Sequence, residues 1–238
     1  MDKRRERKWF SCRGSGLALL FMLALSKSVG KAQDFEVDLA LVLAIDCSFS
    51  VDFNEFQLQM EGLGRALLRP GVKRAIKAGN RQRIAISAVQ WSDQINQNVV
   101  LPWTIIAGDA DADEVGNILA KMPRRLAEGG TSISTALVFS QALFSIAPNA
   151  ERRVIDISSD GRNNIGPPVN AARDRIVAAG TTINALTILN EWPTLDIYFE
   201  KQVVGGEGHF VIPANDYAAY GEAIYRKLLK EIAGPGIS

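Results

Sequence analysis

Val37-Asp38-Leu39-Ala40-Leu41-Val42-Leu43-Ala44-Ile45 runs directly into Asp46-Cys47-Ser48-Phe49-Ser50. The first part is almost continuously apolar and rich in branched side chains. Such a run predicts a strand covered on both faces, as at the centre of a parallel sheet. It ends at a carboxylate followed by hydroxyls at alternate positions. An aspartate at the end of a covered strand is costly to bury without a partner, so the residues around Asp46 are the first candidates for a site.

The rest of the chain alternates. From Asp52 to Leu68, Phe53, Phe56, Met60, Leu63 and Leu67 recur at helical spacing, Asp52 is placed to cap, and Pro70-Gly71 reads as the end. Arg83–Trp91 is a second apolar strand, and Val99–Ile106 a third whose Pro102 suits a sheet edge. Asp109, Asp111, Asp113 and Glu114 open a helix that closes near Met122-Pro123. The alternating acids resemble the start of a calcium loop, but the glycine and terminal glutamate of that loop are missing. Further helices are expected over 132–147, 167–179, 195–202 and 216–232, with strands over 153–158, 182–189 and 208–212. Strand–helix alternation with short loops predicts an α/β fold: an open, doubly wound, mainly parallel sheet with helices on both faces.

Before this pattern comes a different kind of segment. Lys3, Arg4, Arg5, Arg7, Lys8 and Arg13 precede an apolar run, Leu17 to Leu25, and then Gly30 and Ala32 in small-residue positions. This is the layout of a secretory signal peptide, residues 1–32, cleaved after Ala32. The run is too short to span a bilayer comfortably, so contact with a membrane is expected only through export or an uncleaved N-terminal anchor. Residues 1–32 hold 8 of the 27 Lys and Arg and 2 of the 26 Asp and Glu. Residues 33–238 are therefore left with 19 basic and 24 acidic side chains, a formal charge of −5. That charge argues against nucleic acid as a partner. Cys47 is the one cysteine remaining in this part, so an internal disulfide is excluded despite the expected exported (periplasmic or secreted) location. Residues 33–238 read as one domain, with no repeat or low-complexity linker to divide them.

In an open α/β sheet, ligands gather at the carboxyl ends of the strands. Three polar segments fall there: Asp46-Cys-Ser48-Phe-Ser50, Gly129-Gly130-Thr131-Ser132, and Ser158-Ser159-Asp160-Gly161. With one histidine and no cysteine cluster, metal chemistry would rest on oxygen ligands, which a hard divalent cation prefers. Thr131 and Ser132 also suit a simpler role as helix caps.

These three elements, in this order, resemble the metal-ion-dependent adhesion site of von Willebrand factor A (vWA) domains, beginning with its Asp-x-Ser-x-Ser motif. The resemblance runs from about Val37 to Ile232, and more narrowly the chain is similar to an exported bacterial group of A-like proteins. It implies a Rossmann-like vWA fold in which Ser48, Ser50 and Thr131 supply hydroxyl ligands to Mg²⁺, with Mn²⁺ or Ca²⁺ as alternatives. Asp46 and Asp160 would act directly or through water. It further implies a protein partner whose acidic side chain completes the shell, and therefore binding rather than catalysis.

Enzyme signatures are sparse. The chain has no Gly-x-Ser-x-Gly elbow, no phosphate loop and no Gly-x-Gly-x-x-Gly after the first strand. A metal-dependent phosphatase would use Asp46 as nucleophile, but Ser48 stands where its second aspartate belongs. That hydrolase and a vWA domain with a lapsed site and a structural role are the alternatives. Asp156 reads as structural, His209 as an edge histidine, and Cys47 as a small buried filler. Arg162, Asn163 and Asn164 read as a rim loop that either contacts a ligand or is simply solvated. Trp91, Trp103 and Trp192 read as core or strand-end anchors, unless one is exposed near the rim.

Overall fold

The computed structural model describes residues 36–234. The expected signal segment, residues 1–32, lies outside them. Among the described residues six strands form one sheet: β1 (Val37–Asp46), β2 (Ile84–Trp91), β3 (Gln97–Ile106), β4 (Ala150–Ser159), β5 (Thr182–Ile188) and β6 (Val211–Ala214). Their spatial order is β3-β2-β1-β4-β5-β6. Every pairing is parallel except that of β2 with β3, the edge strand carrying Pro102. This is the doubly wound, mainly parallel sheet expected from the alternation.

The α-helices of the described residues that cover the sheet are α1 (Phe53–Leu68), α2 (Pro70–Ala78), α3 (Asp109–Ala120), α4 (Ile133–Leu143), α5 (Val169–Ala178), α6 (Leu195–Gln202) and α7 (Tyr220–Ala233). β1 shows how the two layers are divided. Its odd positions, Leu39, Leu41, Leu43 and Ile45, pack with Phe56, Met60 and Leu63 of α1, Val115 of α3 and Ile224 of α7. Its even positions, Ala40, Val42 and Ala44, pack with Ile133 and Leu137 of α4, Ile176 of α5 and Phe199 of α6. A period of two is thus present within a run that looks uniformly apolar. Each fully buried Leu or Ile contributes about 1.5–3 kcal/mol, so β1 is a main source of stability.

Several elements differ in detail from the sequence expectation. Pro70 does not merely end α1; it occupies the first turn of α2, which was not anticipated. Proline suits that position because its missing N–H would be unpaired there in any case. Phe53 sits at the exposed start of α1 and is not part of its buried face. β6 begins later than expected, at Val211, and α7 begins at Tyr220 rather than Asp216. The acids opening α3 are engaged locally: Asp109 pairs with Lys77 at 2.7 Å, and Asp111 accepts from the backbone of Ala107 at 2.9 Å. α1 and α3 cross where a Cβ on Gly64 would stand 2.4 Å from the carbonyl oxygen of Gly116, so the closeness of that crossing depends on glycine.

A charged cluster lies inside the core. Lys227 of α7 is buried and bridges Asp156 of β4 and Glu231 one turn later, both at 2.6 Å. Asn184 of β5 donates to the same Glu231 oxygen at 3.0 Å. Asp156 is therefore structural, as its position within a strand suggested.

Candidate metal centre

The winding of the sheet reverses between β1 and β4, so the crevice between their carboxyl ends is the switch point where such folds bind ligands. Register does the first part of the assembly. Ile45 lies opposite Ser158, which brings Asp46 abreast of Ser159 and close to Asp160. Beyond Asp46 the chain turns sharply: the Ser48 backbone donates to Asp46 Oδ1 at 2.7 Å, and Val51 donates to the Ser48 carbonyl at 3.1 Å. Asp52 then caps α1 in a reciprocal pair with Glu55.

Arg124, in the α3–α4 connection, holds this turn from behind. Its guanidinium donates to the carbonyls of Cys47 (2.6 Å), Ser48 (3.2 Å) and Val51 (2.7 Å). The same connection runs alongside the turn, with the Phe49 backbone donating to the Gly129 carbonyl at 2.9 Å. It then delivers Thr131. Asn164 fixes that threonine by accepting from its backbone at 2.8 Å, and the Asn164 backbone donates to the Thr131 carbonyl at 3.0 Å. Asn163 accepts from the Ser134 backbone at 3.2 Å, at the start of α4. The two asparagines thus tie loops together. Ser132 makes no side-chain cap to α4; its hydroxyl accepts from Thr135 instead.

The expected oxygen donors converge. The hydroxyls of Ser48 and Ser50 are 3.2 Å apart, and Ser50 donates to Asp160 Oδ1 at 2.6 Å. A Cβ on Gly161 would lie 3.5 Å from Thr131 Oγ1 and 4.0 Å from Ser50 Oγ, so Thr131 closes the group from the third loop. Two further residues belong to it that the sequence did not single out as donors. Ser159 donates to Asp46 Oδ2, and Tyr217, just before α7, donates to Asp160 Oδ2 at 2.9 Å. Ser159 could have been found from strand register. Tyr217 lies 57 positions from its partner, and no local pattern announces it.

Electrostatically the group is short of positive charge. Asp46 and Asp160 are both buried, and among the described residues neither forms an ion pair. Burial, and then the nearby charge of Asp160, push Asp46 up to about 7, although hydrogen bonds from Ser159 and Ser48 act in the opposite direction. Burial also raises the Tyr217 phenol, helped by Asp160 and Asp46, and the Cys47 thiol, helped by Asp46. Cys47 is accordingly an inert filler against β1 and β2. No cluster of three or more His, Cys, Asp or Glu occurs among the described residues. The five expected ligands are two carboxylates and three hydroxyls, an all-oxygen set suited to a hard divalent cation. A bound cation would also supply the missing countercharge, so the residues present fit such an ion.

Residues 36–236 match the family described as "Protein of unknown function (DUF1194)". The chain belongs to the DUF1194 family. No curated protein matches this DUF1194 chain in sequence. Its fold is similar to that of proximal thread matrix protein 1 (PTMP1) from the mussel byssus, with a TM-score of 0.64 and 16% identity over 84% of this chain and 49% of that one. In that structure zinc occupies a MIDAS motif. It is also similar to the pilus adhesin SpaC of Lactobacillus rhamnosus GG in its open conformation, with a TM-score of 0.60 and 12% identity over 82% of this chain and 30% of that one. A third similar structure is a von Willebrand factor type A protein from Catenulispora acidiphila, with a TM-score of 0.55 and 17% identity over 82% of this chain and 43% of that one. At these identities the likeness carries the fold, which is that of vWA domains. The DUF1194 chain spans half or less of the length of each of these structures.

Proposed function

We propose that this chain is an exported, divalent-cation-dependent protein-interaction module of the von Willebrand A type. Residues 1–32 form a cleaved signal and residues 33–238 the mature domain, which is periplasmic or secreted. Asp46, Ser48, Ser50, Thr131 and Asp160 hold the ion, Mg²⁺ or in its place Mn²⁺ or Ca²⁺. The ion supplies a positive centre that attracts an acidic side chain of the partner. Ser159 and Tyr217 orient the two carboxylates, and Arg124 keeps the Ser48–Ser50 turn in shape.

The observation that carries this reading is the pair of buried carboxylates at the switch point, without a cation of their own and ringed by hydroxyls from separate loops. That similar folds include a thread matrix protein and a pilus adhesin supports an interaction role. Among the described residues, no helix is long and apolar enough to cross a membrane. Binding is favoured over hydrolysis because the one histidine, His209, precedes β6 at the amino ends of the strands, away from Ser48, Ser50 and Asp160. No Ser–His pair of the kind that activates a serine nucleophile is therefore formed here.

Calorimetric titration with Mg²⁺, Mn²⁺ and Ca²⁺ tests the reading. The parent is expected to take up one ion, and at a free concentration of 100 Kd the ion should stabilise the fold by about 2.7 kcal/mol. Asp46→Ala should abolish uptake. A parent that binds none of the three ions would end the metal reading, and an Asp46→Ala variant that binds like the parent would end the assignment of ligands.

A further inference from the structure

The rim around the candidate centre carries large apolar side chains in solvent. Phe49 is 76% exposed, Ile95 86%, Ile165 41% and Trp192 46%. Isolated exposed apolar residues are ordinary, but these four come from four loops of the same rim, and contacts between the loops link them around the same centre. The Phe49 backbone donates to the carbonyl of Gly129. A Cβ on Gly129 would meet Asp93 Oδ2 at 2.9 Å, and Asp93 also accepts from the Ile95 backbone at 3.0 Å. A Cβ on Gly130 would meet Ile165 Cγ2, again at 2.9 Å. Arg162, two residues beyond Asp160, lies 5.0 Å over the Trp192 ring. Phe49, Ile165 and Trp192 thus adjoin the loops that bear Ser48 and Ser50, Thr131, and Asp160, and Ile95 stands beside them.

Charge on this rim is unevenly committed. Asp93 is satisfied locally by Ile95 and Asn96, and Glu55 by Asp52 and Asn190. Arg162 donates to Thr194 and faces the Trp192 and Tyr198 rings, but among the described residues it has no carboxylate partner. Arg162 is therefore a cation without a carboxylate partner among the described residues, and it stands within an apolar collar.

We propose that the collar of Phe49, Ile95, Ile165 and Trp192 is a docking surface for a protein segment that presents an acidic side chain flanked by large apolar residues. The inference rests on the metal-dependent reading above and specifies its partner. The partner's carboxylate is drawn to the ion and to Arg162, and its apolar neighbours cover Phe49 and Ile95 on one side and Ile165 and Trp192 on the other. Aromatic and branched anchors around a polar point of attachment are the usual makeup of an interface core. An anionic membrane is the less suited occupant, because its many headgroups would meet Glu55, Asp93 and the formal charge of −5 on residues 33–238, whereas a single carboxylate meets only the ion and Arg162.

The test is selection of random twelve-residue displayed peptides on the mature domain in Mg²⁺, followed by affinity measurements on synthetic copies. Selected sequences should contain Asp or Glu with Leu, Ile, Phe or Met within two positions. Replacing that acid by its amide, or the flanking residues by Ser, should weaken binding at least roughly tenfold. Phe49→Ser combined with Ile95→Ser should cause a similar loss while leaving Mg²⁺ uptake, measured on the same preparation, at the parent level. Failure to select peptides of this pattern, unchanged affinity in the double variant, or retention on phosphatidylglycerol vesicles in its place overturns the docking proposal. Absence of Mg²⁺ uptake by the parent overturns the metal reading instead, and the titration reports it separately.

Discussion

Two of the places where buried carboxylates occur treat them in opposite ways. In the core, Asp156 and Glu231 share Lys227, which reaches both at 2.6 Å. At the switch point, Asp46 and Asp160 share only hydroxyl and backbone donors, from Ser48, Ser50, Ser159 and Tyr217. Burying charge is tolerable when a partner is buried with it. The core cluster brings its own cation within the chain and serves the fold, joining α7 to β4 and β5. The switch-point pair lacks one and lies among surface loops, where a cation can arrive from solvent. Burial of acids therefore does not by itself identify a site; the presence or absence of an internal counterion does.

The largest test of the contrast is to remove one charge from each place. Lys227→Met should leave Asp156 uncompensated and Glu231 without its donor, and lower stability by about 3–5 kcal/mol in urea unfolding. Asp46→Asn, measured without divalent ions, should stay within about 1 kcal/mol of the parent. It keeps a side-chain acceptor for Ser48 and relieves repulsion with Asp160. Equal losses in the two variants would erase the distinction.

A subtler version uses pH. Burial, and then the charge of Asp156, push Glu231 up to about 8 from its ordinary value of 4.5. Between those two values the unfolded chain has released this proton while the folded chain keeps it. The contribution of Glu231 is therefore fully present below about 4.5 and is lost as pH rises through about 8. Its slope cannot exceed about 1.4 kcal/mol per pH unit. Glu231→Gln should flatten the stability profile over this window, and an unchanged slope would show that the group does not titrate there.

A single hydroxyl is tested by Tyr217→Phe, which deletes only the group donating to Asp160 at 2.9 Å. A loss of about 1–2 kcal/mol in the ion-free protein would fit a hydrogen bond to a buried carboxylate. No loss would mean that Asp160 is oriented adequately by Ser50 alone.

The central strand and the three oxygen-bearing loops could be read from the sequence because their signals are local. A covered strand shows in a short apolar run, and a polar loop at its end marks the carboxyl edge. α2 was hidden because one residue carries two meanings: Pro70 ends one helical pattern and also suits the first turn of the next. Tyr217 and Arg124 were hidden for a different reason. Each meets its partner across a long stretch of chain, 57 residues for Tyr217 and Asp160 and 73 for Arg124 and Val51, so neither periodicity nor spacing points to the contact. The mobile-looking polarity of Asn163 and Asn164 misleads in the other direction, since both are spent in joining loops.

The unequal faces of β1 have a consequence for the rim. On the side of α4 the strand presents Ala40, Val42 and Ala44, against Leu39, Leu41, Leu43 and Ile45 on the other. Small side chains act as a thin shim, and they set how deeply α4 seats against the sheet. Thr131 is carried two residues ahead of that helix, so its height above Asp46 is gauged by the thickness of alanines in the interior. A change such as Ala44→Leu, made well below the surface and touching none of the oxygens, would lift the threonine and detune the centre from beneath.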